Sequence, residues 1–288
     1  MQPATATKPA QDLRALGPTG VGAYVARFGR GPAPELDRIC AQHAAHTSLL
    51  YWFTDLAAAI AEARRTRRPI LSLRLLGRLD QPRSCANSRF FRRLLYPHPQ
   101  INRLLRDHFV LHWQSVRPVP IVTIDFGNGK VLTRTLTGNS VHVVLDATGR
   151  PVDALPGLVA PDVFVAQLLR AHASATADRR ELAGRHQREL DAPIVPPPPP
   201  GPDRAGAASQ LAPTKHLVEA PILRTITPPS VEADTHASLA LHARVHAAFA
   251  RGRGIHASLD ELVAWIYRDL FLMPPDDPAL GLDVPDPI

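Results

Sequence analysis

Apolar and polar positions along the chain change period several times, and those changes mark out the elements. Residues 36–53 carry Leu36, Ile39 and Cys40 at helical spacing and predict a helix leading into the core. "DLAAAIAEARRTRRP" (55–69) predicts a second helix. Asp55 can cap it, Leu56, Ile60 and Ala63 form one stripe, the arginines sit late, and Pro69 stops it. "ILSLRLLG" (70–77) is apolar at nearly every position, the pattern of a central strand covered on both faces. A polar loop then leads to Cys85. Phe90, Phe91, Leu94 and Leu95 predict a helix over 88–97, and Ile101, Leu104 and Leu105 a further one over 99–108.

The second half of this region alternates instead. Residues 109–116 read as a strand, 121–136 as a hairpin turning at Gly127-Asn128-Gly129, and 140–157 as a second hairpin turning at Ala147–Gly149. A helix begins at the proline of "APDVFVAQLLRAH" (160–172), with Val163, Leu168 and Leu169 assigned inward. The order predicts an α/β domain over 48–175, a mixed sheet flanked by helices. Residues 1–47 are expected to be a disordered lead-in followed by one helix. Residues 176–213 read as a charged helix and a linker with five consecutive prolines. Residues 214–288 read as a helical extension.

Composition narrows the function classes. Two cysteines in 288 residues argue against a disulfide framework and predict a reducing, cytoplasmic setting. No apolar run reaches membrane-spanning length, and the first residues lack a secretory pattern, so no membrane role is expected. Net charge is +11 over residues 1–120 and −4 over 121–288, almost all the positive charge being arginine. The cluster Arg64, Arg65, Arg67 and Arg68 lacks interleaved aromatics, so a solvated helix end is expected rather than a nucleic-acid surface. His242 and His246 are one turn apart, and His43 and His46 three residues apart. Neither pair has a further ligand nearby in sequence, so no metal and no cofactor are expected.

The candidate chemistry sits in "RSCANSRF" (83–90). A helix and a central strand lead to Cys85-Ala86-Asn87-Ser88 at the start of the next helix, and a closing hairpin follows in "NSVHVVLDATGRPVDALPG". This order resembles the thioredoxin-like family, in a Cys-x-x-Ser variant of a bacterial subgroup, over about residues 52–172. The resemblance implies a thioredoxin-like sheet with the 121–136 hairpin as an insertion. It also implies a thiol at Cys85, with Ser88 where the family has its second cysteine. Ser140 stands at the family's cis-proline position, beside Asn139, where a substrate strand would pair.

A thiol at a helix N-terminus is favoured as thiolate, and Arg83 and Arg89 should add to this, while Asn87 and Ser88 offer polar contacts. Without a second motif cysteine the chemistry becomes monothiol exchange with protein thiols or glutathione, Cys40 being the sole internal candidate for resolving it. The other reading is a redox-inactive scaffold of the same fold that binds a protein partner through its C-terminal helices. Under it, Cys85 is a small packed core residue.

Overall fold

The computed structural model describes residues 8–135, 138–192, 231–252 and 258–281. The proline-run linker therefore lies outside the described residues. Three helices open the chain: α1 (Lys8–Ala15), α2 (Pro18–Phe28) and α3 (Pro34–Cys40). They gather their own small core from Ala10, Val21, Leu36, Ile39, Cys40 and Ala45. The expectation of a lead-in with a single helix is thus corrected. The first two helices are short, and tertiary packing makes up for the low intrinsic stability of helices of this length. Helix α3 also stops sooner than the 36–53 pattern suggested, because Ala41 and Ala44 adopt left-handed backbone.

Helix α4 (Leu56–Thr66) is capped by Asp55, whose carboxylate accepts from the Ala58 N–H at 2.6 Å. Strand β1 (Ile70–Leu76) follows, then α5 (Ala86–Phe90), which continues as one wider turn over Phe91–Leu95, then α6 (Pro99–His108) and β2 (Val110–Arg117). Strands β3 (Ile121–Asp125) and β4 (Val131–Thr135) form the first hairpin. Strands β5 (Ser140–Leu145) and β6 (Pro151–Pro156) form the second. Helices α7 (Pro161–Ser174), α8 (Arg179–Asp191), α9 (Val231–Ala250) and α10 (Leu259–Trp265, continuing over Ile266–Leu270) complete the described chain.

The main sheet runs β2-β1-β5-β6. Strand β1 lies parallel to β2 and antiparallel to β5, with Leu73 facing Trp113 on one side and His142 on the other. Every residue of β1, β5 and β6 is buried, so helices and loops cover both faces. The β3–β4 hairpin forms a separate two-stranded sheet between β2 and β5 in the chain. Its turn follows from Gly127 and Gly129, both at positive φ, with the Asp125 carboxylate accepting from the Gly127 N–H at 2.9 Å. Ile121, Ile124, Phe126 and Val131 remain exposed on it.

One inward assignment changes. In α7 the buried residues are Phe164, Val165, Gln167, Leu168 and Ala171, with Val163 partly buried against the core, while Leu169 is half exposed. The polar helix α8 is not fully solvated, since Leu182 and His186 are buried. Helix α9 lies across β6 and α8, and its Ser238 and Thr235 hydroxyls accept from the Leu158 and Ala160 N–H groups at 3.0 and 2.9 Å. Leu262, Ile266 and Tyr267 of α10, with Leu280 beyond it, join the main core at no measurable exposure. Full burial of such side chains contributes about 1.5–3 kcal/mol each. Most apolar side chains of α9 and α10 thus pack within the chain, while Leu272 remains exposed. Arg65 pairs with Glu62 at 2.7 Å and Arg68 donates to the Arg106 carbonyl at 2.9 Å, which ties down part of the basic cluster. Among the described residues no helix is long and apolar enough to cross a membrane.

Burial holds two core histidines neutral. His112, whose Nδ1 is 2.8 Å from Ser72 Oγ, is pushed down to about 3 by burial and then by Arg74. His142, 2.9 Å from the Tyr96 hydroxyl, is pushed down to about 3 by burial. The unfolded chain binds protons at these histidines below about pH 6.5 and the folded chain does not, so stability falls with pH through the window from 6.5 towards 3. Each contributes a loss of about 1.4 kcal/mol per pH unit there. Urea midpoints measured from pH 7.5 to 4 should fall steadily below pH 6.5, and His142→Phe should flatten the slope. A flat profile down to pH 5 would contradict this.

Candidate functional site

Strand β1 delivers the chain to the Cys85 region. Its last residue, Leu76, accepts from the Cys85 N–H through its carbonyl at 3.2 Å and donates its own N–H to the Asn139 carbonyl at 3.4 Å. The segment before β5 therefore crosses directly in front of Cys85. Gly138 is required at that crossing, because a Cβ there would overlap the Cys85 Cβ. Cys85 is the N-cap residue of α5 and has no measurable solvent exposure.

Each residue singled out in the motif has a definite place. Ser88 is buried, and its hydroxyl lies 2.5 Å from Ser84 Oγ and donates to the Cys85 carbonyl at 2.8 Å, so its bonds go to the turn rather than to the thiol. Asn87 donates to the Asn139 side-chain oxygen at 2.8 Å, and that oxygen also accepts from the Ser140 N–H at 3.1 Å. Ser140 is buried, and its hydroxyl has no hydrogen-bond partner among the described residues. Arg89 donates to the Ser84 carbonyl and to Thr135 Oγ1, both at 3.1 Å. Arg83 is exposed, and none of these bonds involves it. Cys40 lies in the small core of the N-terminal helices, is unpaired, and is pushed up to about 12 by burial and then by Asp37.

Two residues of this site escaped the sequence reading. Arg92 is almost fully buried and donates through Nη1 to the Leu79 and Gln81 carbonyls, both at 2.7 Å, which holds the loop before Cys85. Burial brings its guanidinium down to about 10, opposed by the Cys85 thiol close by. Arg92 falls four residues after Ser88, on the helix's inward side, and that spacing was its one signal. Tyr267 comes from the C-terminal segment. Its hydroxyl donates towards the Asn139 carbonyl at 2.9 Å, with the Arg74 carbonyl at 3.3 Å. Burial, then Cys85, raises its phenol well above the usual range. The same segment is strapped down by Arg117, which donates to the Pro275 and Asp277 carbonyls at 3.1 and 2.5 Å.

A second polar cluster lies between β6, α8 and α9. His242 Nε2 is 3.0 Å from Asp153 Oδ1, and His242 Nδ1 is 3.0 Å from the Gln167 side-chain nitrogen. His186 and His246 approach through their Nδ1 atoms at 2.7 Å, and His186 Nε2 is 3.0 Å from the Val152 carbonyl. Asp153 is held below the usual carboxylate range: burial opposes this, and His242 outweighs it. His246 is pushed down to about 3 by burial and then by His242. His43 pairs with Asp37 at 3.3 Å.

A separate cleft of about 870 Å³ opens between α1, α3, the loop after β1 and strand β2, lined in part by Arg14, Arg38, Arg78, Asp80 and Trp113. It is lined by neither Cys85 nor the histidine cluster. No family model, curated protein or solved structure matches the chain. The sites are therefore read from their own geometry.

Arg92 is a buried guanidinium that donates to the Leu79 and Gln81 carbonyls, so truncating it removes two charge-assisted hydrogen bonds that hold the loop. Arg92→Ala should cost about 2–4 kcal/mol in urea unfolding, and Arg92→Lys less. A loss below about 0.5 kcal/mol would show that the loop is held by other contacts. Gly138→Ala should cost about 1–3 kcal/mol through overlap with Cys85.

Proposed function

We propose that this chain is a thioredoxin-like scaffold whose single motif thiol is closed off in the resting fold, and that it acts by binding a protein partner rather than by turning over disulfides. The observation that carries this reading is the complete burial of Cys85 beneath Gly138, the Asn139 peptide and the core that Tyr267 joins. Thiol–disulfide exchange needs a thiolate that an incoming sulfur can reach in line. The fold side of the reading is supported by the order of elements. A central strand runs into a cysteine at a helix start, a parallel strand follows, and an antiparallel closing pair begins against that cysteine.

The partner surface this reading favours is the β3–β4 hairpin. It stands outside the main sheet and leaves Ile121, Ile124, Phe126 and Val131 exposed, whereas α9 and α10 are committed to the core. Exposed aromatic and aliphatic side chains on a two-stranded ribbon suit an apolar protein partner better than a small polar ligand.

Monothiol exchange is the second reading, and one observation favours it. Arg89 and Arg92 place positive charge beside Cys85, where an incoming anionic thiol such as glutathione would meet it once the cover lifts. Under that reading the C-terminal segment is a lid, and protein thiols or glutathione are the substrates.

Alkylation of Cys85 in a Cys40→Ala background separates the two. The scaffold reading expects labelling by iodoacetamide at least roughly 100-fold slower in the native protein than in urea. It also expects the rate to rise about tenfold or more in Tyr267→Ala, which opens the cover over the sulfur. Native labelling as fast as in urea would overturn it in favour of exchange. Ile124→Ser on the hairpin should change stability by no more than about 0.5 kcal/mol, as its side chain adds little to the core.

A further inference from the structure

We propose that Asp153, His186 and His246 form a binding site for a divalent transition-metal ion of the Zn²⁺ class. One ligand atom from each residue lies within 4.8 Å of the other two, and all three residues are buried. They come from three separate elements, β6, α8 and α9, so the site exists only in the folded chain.

Hydrogen bonds around the cluster fix which atoms are free to bind. The Val152 carbonyl can only accept, so His186 carries its proton on Nε2 and presents the Nδ1 lone pair inward. The Nδ1 of His246 meets it at 2.7 Å. The Gln167 amide donates to His242 Nδ1, which leaves His242 to donate from Nε2 to Asp153 Oδ1. The Ala154 N–H donates to the same oxygen at 2.8 Å. With Oδ1 doubly bonded in this way, Asp153 Oδ2 is the oxygen left to bind a cation. Ligand carboxylates and imidazoles oriented by outer hydrogen bonds are the usual surroundings of a metal ion.

The donor set selects the ion. Two imidazole nitrogens and one carboxylate oxygen suit Zn²⁺, with a fourth position left for water, and offer too few oxygens for Ca²⁺ or Mg²⁺. With Zn–N near 2.05 Å, tetrahedral ligands sit about 3.3 Å apart, so loading would part the two imidazoles by roughly 0.6 Å. The competing account of the short contact is an Nδ1–H of His246 donating to His186, a purely structural bond. Neither explanation depends on Cys85.

The test uses the full chain without a histidine tag, stripped by chelator and then equilibrated with Zn²⁺ or Co²⁺. We expect one equivalent of Zn²⁺ retained after desalting, measured by inductively coupled plasma mass spectrometry. Co²⁺ should give visible absorption bands of a four- or five-coordinate site, and Tm should rise by several degrees on loading. His246→Gln and Asp153→Asn should each lose at least 90 % of the retained metal, while His172→Gln, away from the cluster, keeps it. Retention below about one tenth of an equivalent by the wild-type chain would overturn the proposal, whatever the variants do. So would metal bound equally well by folded His246→Gln and Asp153→Asn.

Discussion

Strand β1 is covered on both faces, and most of the structure answers to that one constraint. Seven consecutive buried residues leave no position where a polar side chain can reach water. Ser72 is therefore paired with His112 from β2. Arg74 is more demanding, since burying a guanidinium is costly unless it is paired. Its partner is Asp260 of α10 at 3.4 Å, and its backbone carbonyl receives the Tyr267 hydroxyl. Asp260 is itself largely exposed, so the pair is screened, and burial still lowers the Arg74 guanidinium. The central strand thus calls the C-terminal segment onto the domain. Closure of the Cys85 region comes with it, because the same Tyr267 hydroxyl also bonds the Asn139 carbonyl in front of the thiol.

The two polar clusters differ in how their atoms are employed. Around Cys85, Ser84, Asn87, Ser88, Arg89 and Arg92 direct bonds to backbone carbonyls, to one another, or to the Asn139 and Thr135 side chains. They order the turn between β1 and α5, and what they leave for the sulfur is charge rather than access. Around Asp153 the outer bonds run the other way. Val152, Ala154 and Gln167 occupy the atoms that point outward and leave nitrogen and oxygen atoms converging on one point. The first arrangement rigidifies a loop, whereas the second gathers donors.

Much of the local architecture was legible because its signals are local. The continuous apolar run 70–77 made a central strand, the Gly-Asn-Gly turn made a hairpin, and Asp55 capped its helix. The misreadings share a cause. Helices α1 and α2 are short, were not assigned from the sequence, and are held by contacts with α3. Leu169 sat in a helical stripe whose width the sequence overstates. Arg92 and His186 drew no assignment from the sequence, because such side chains are usually solvated. Asp153 lies in a strand and His186 more than thirty residues later, so no spacing rule could join them to His246.

Short-range chemistry thus set where helices and strands begin and end, the cysteine's place at the start of a helix, and the absence of a second thiol in the motif. Those properties depend on neighbours a few residues away. Whether that cysteine meets solvent, which arginine stands beside it, and which histidines share a carboxylate were decided only by tertiary packing. Burial and convergence are properties of surfaces meeting across the fold, and β1 meets α10, or β6 meets α8 and α9, only once the whole sheet is in place.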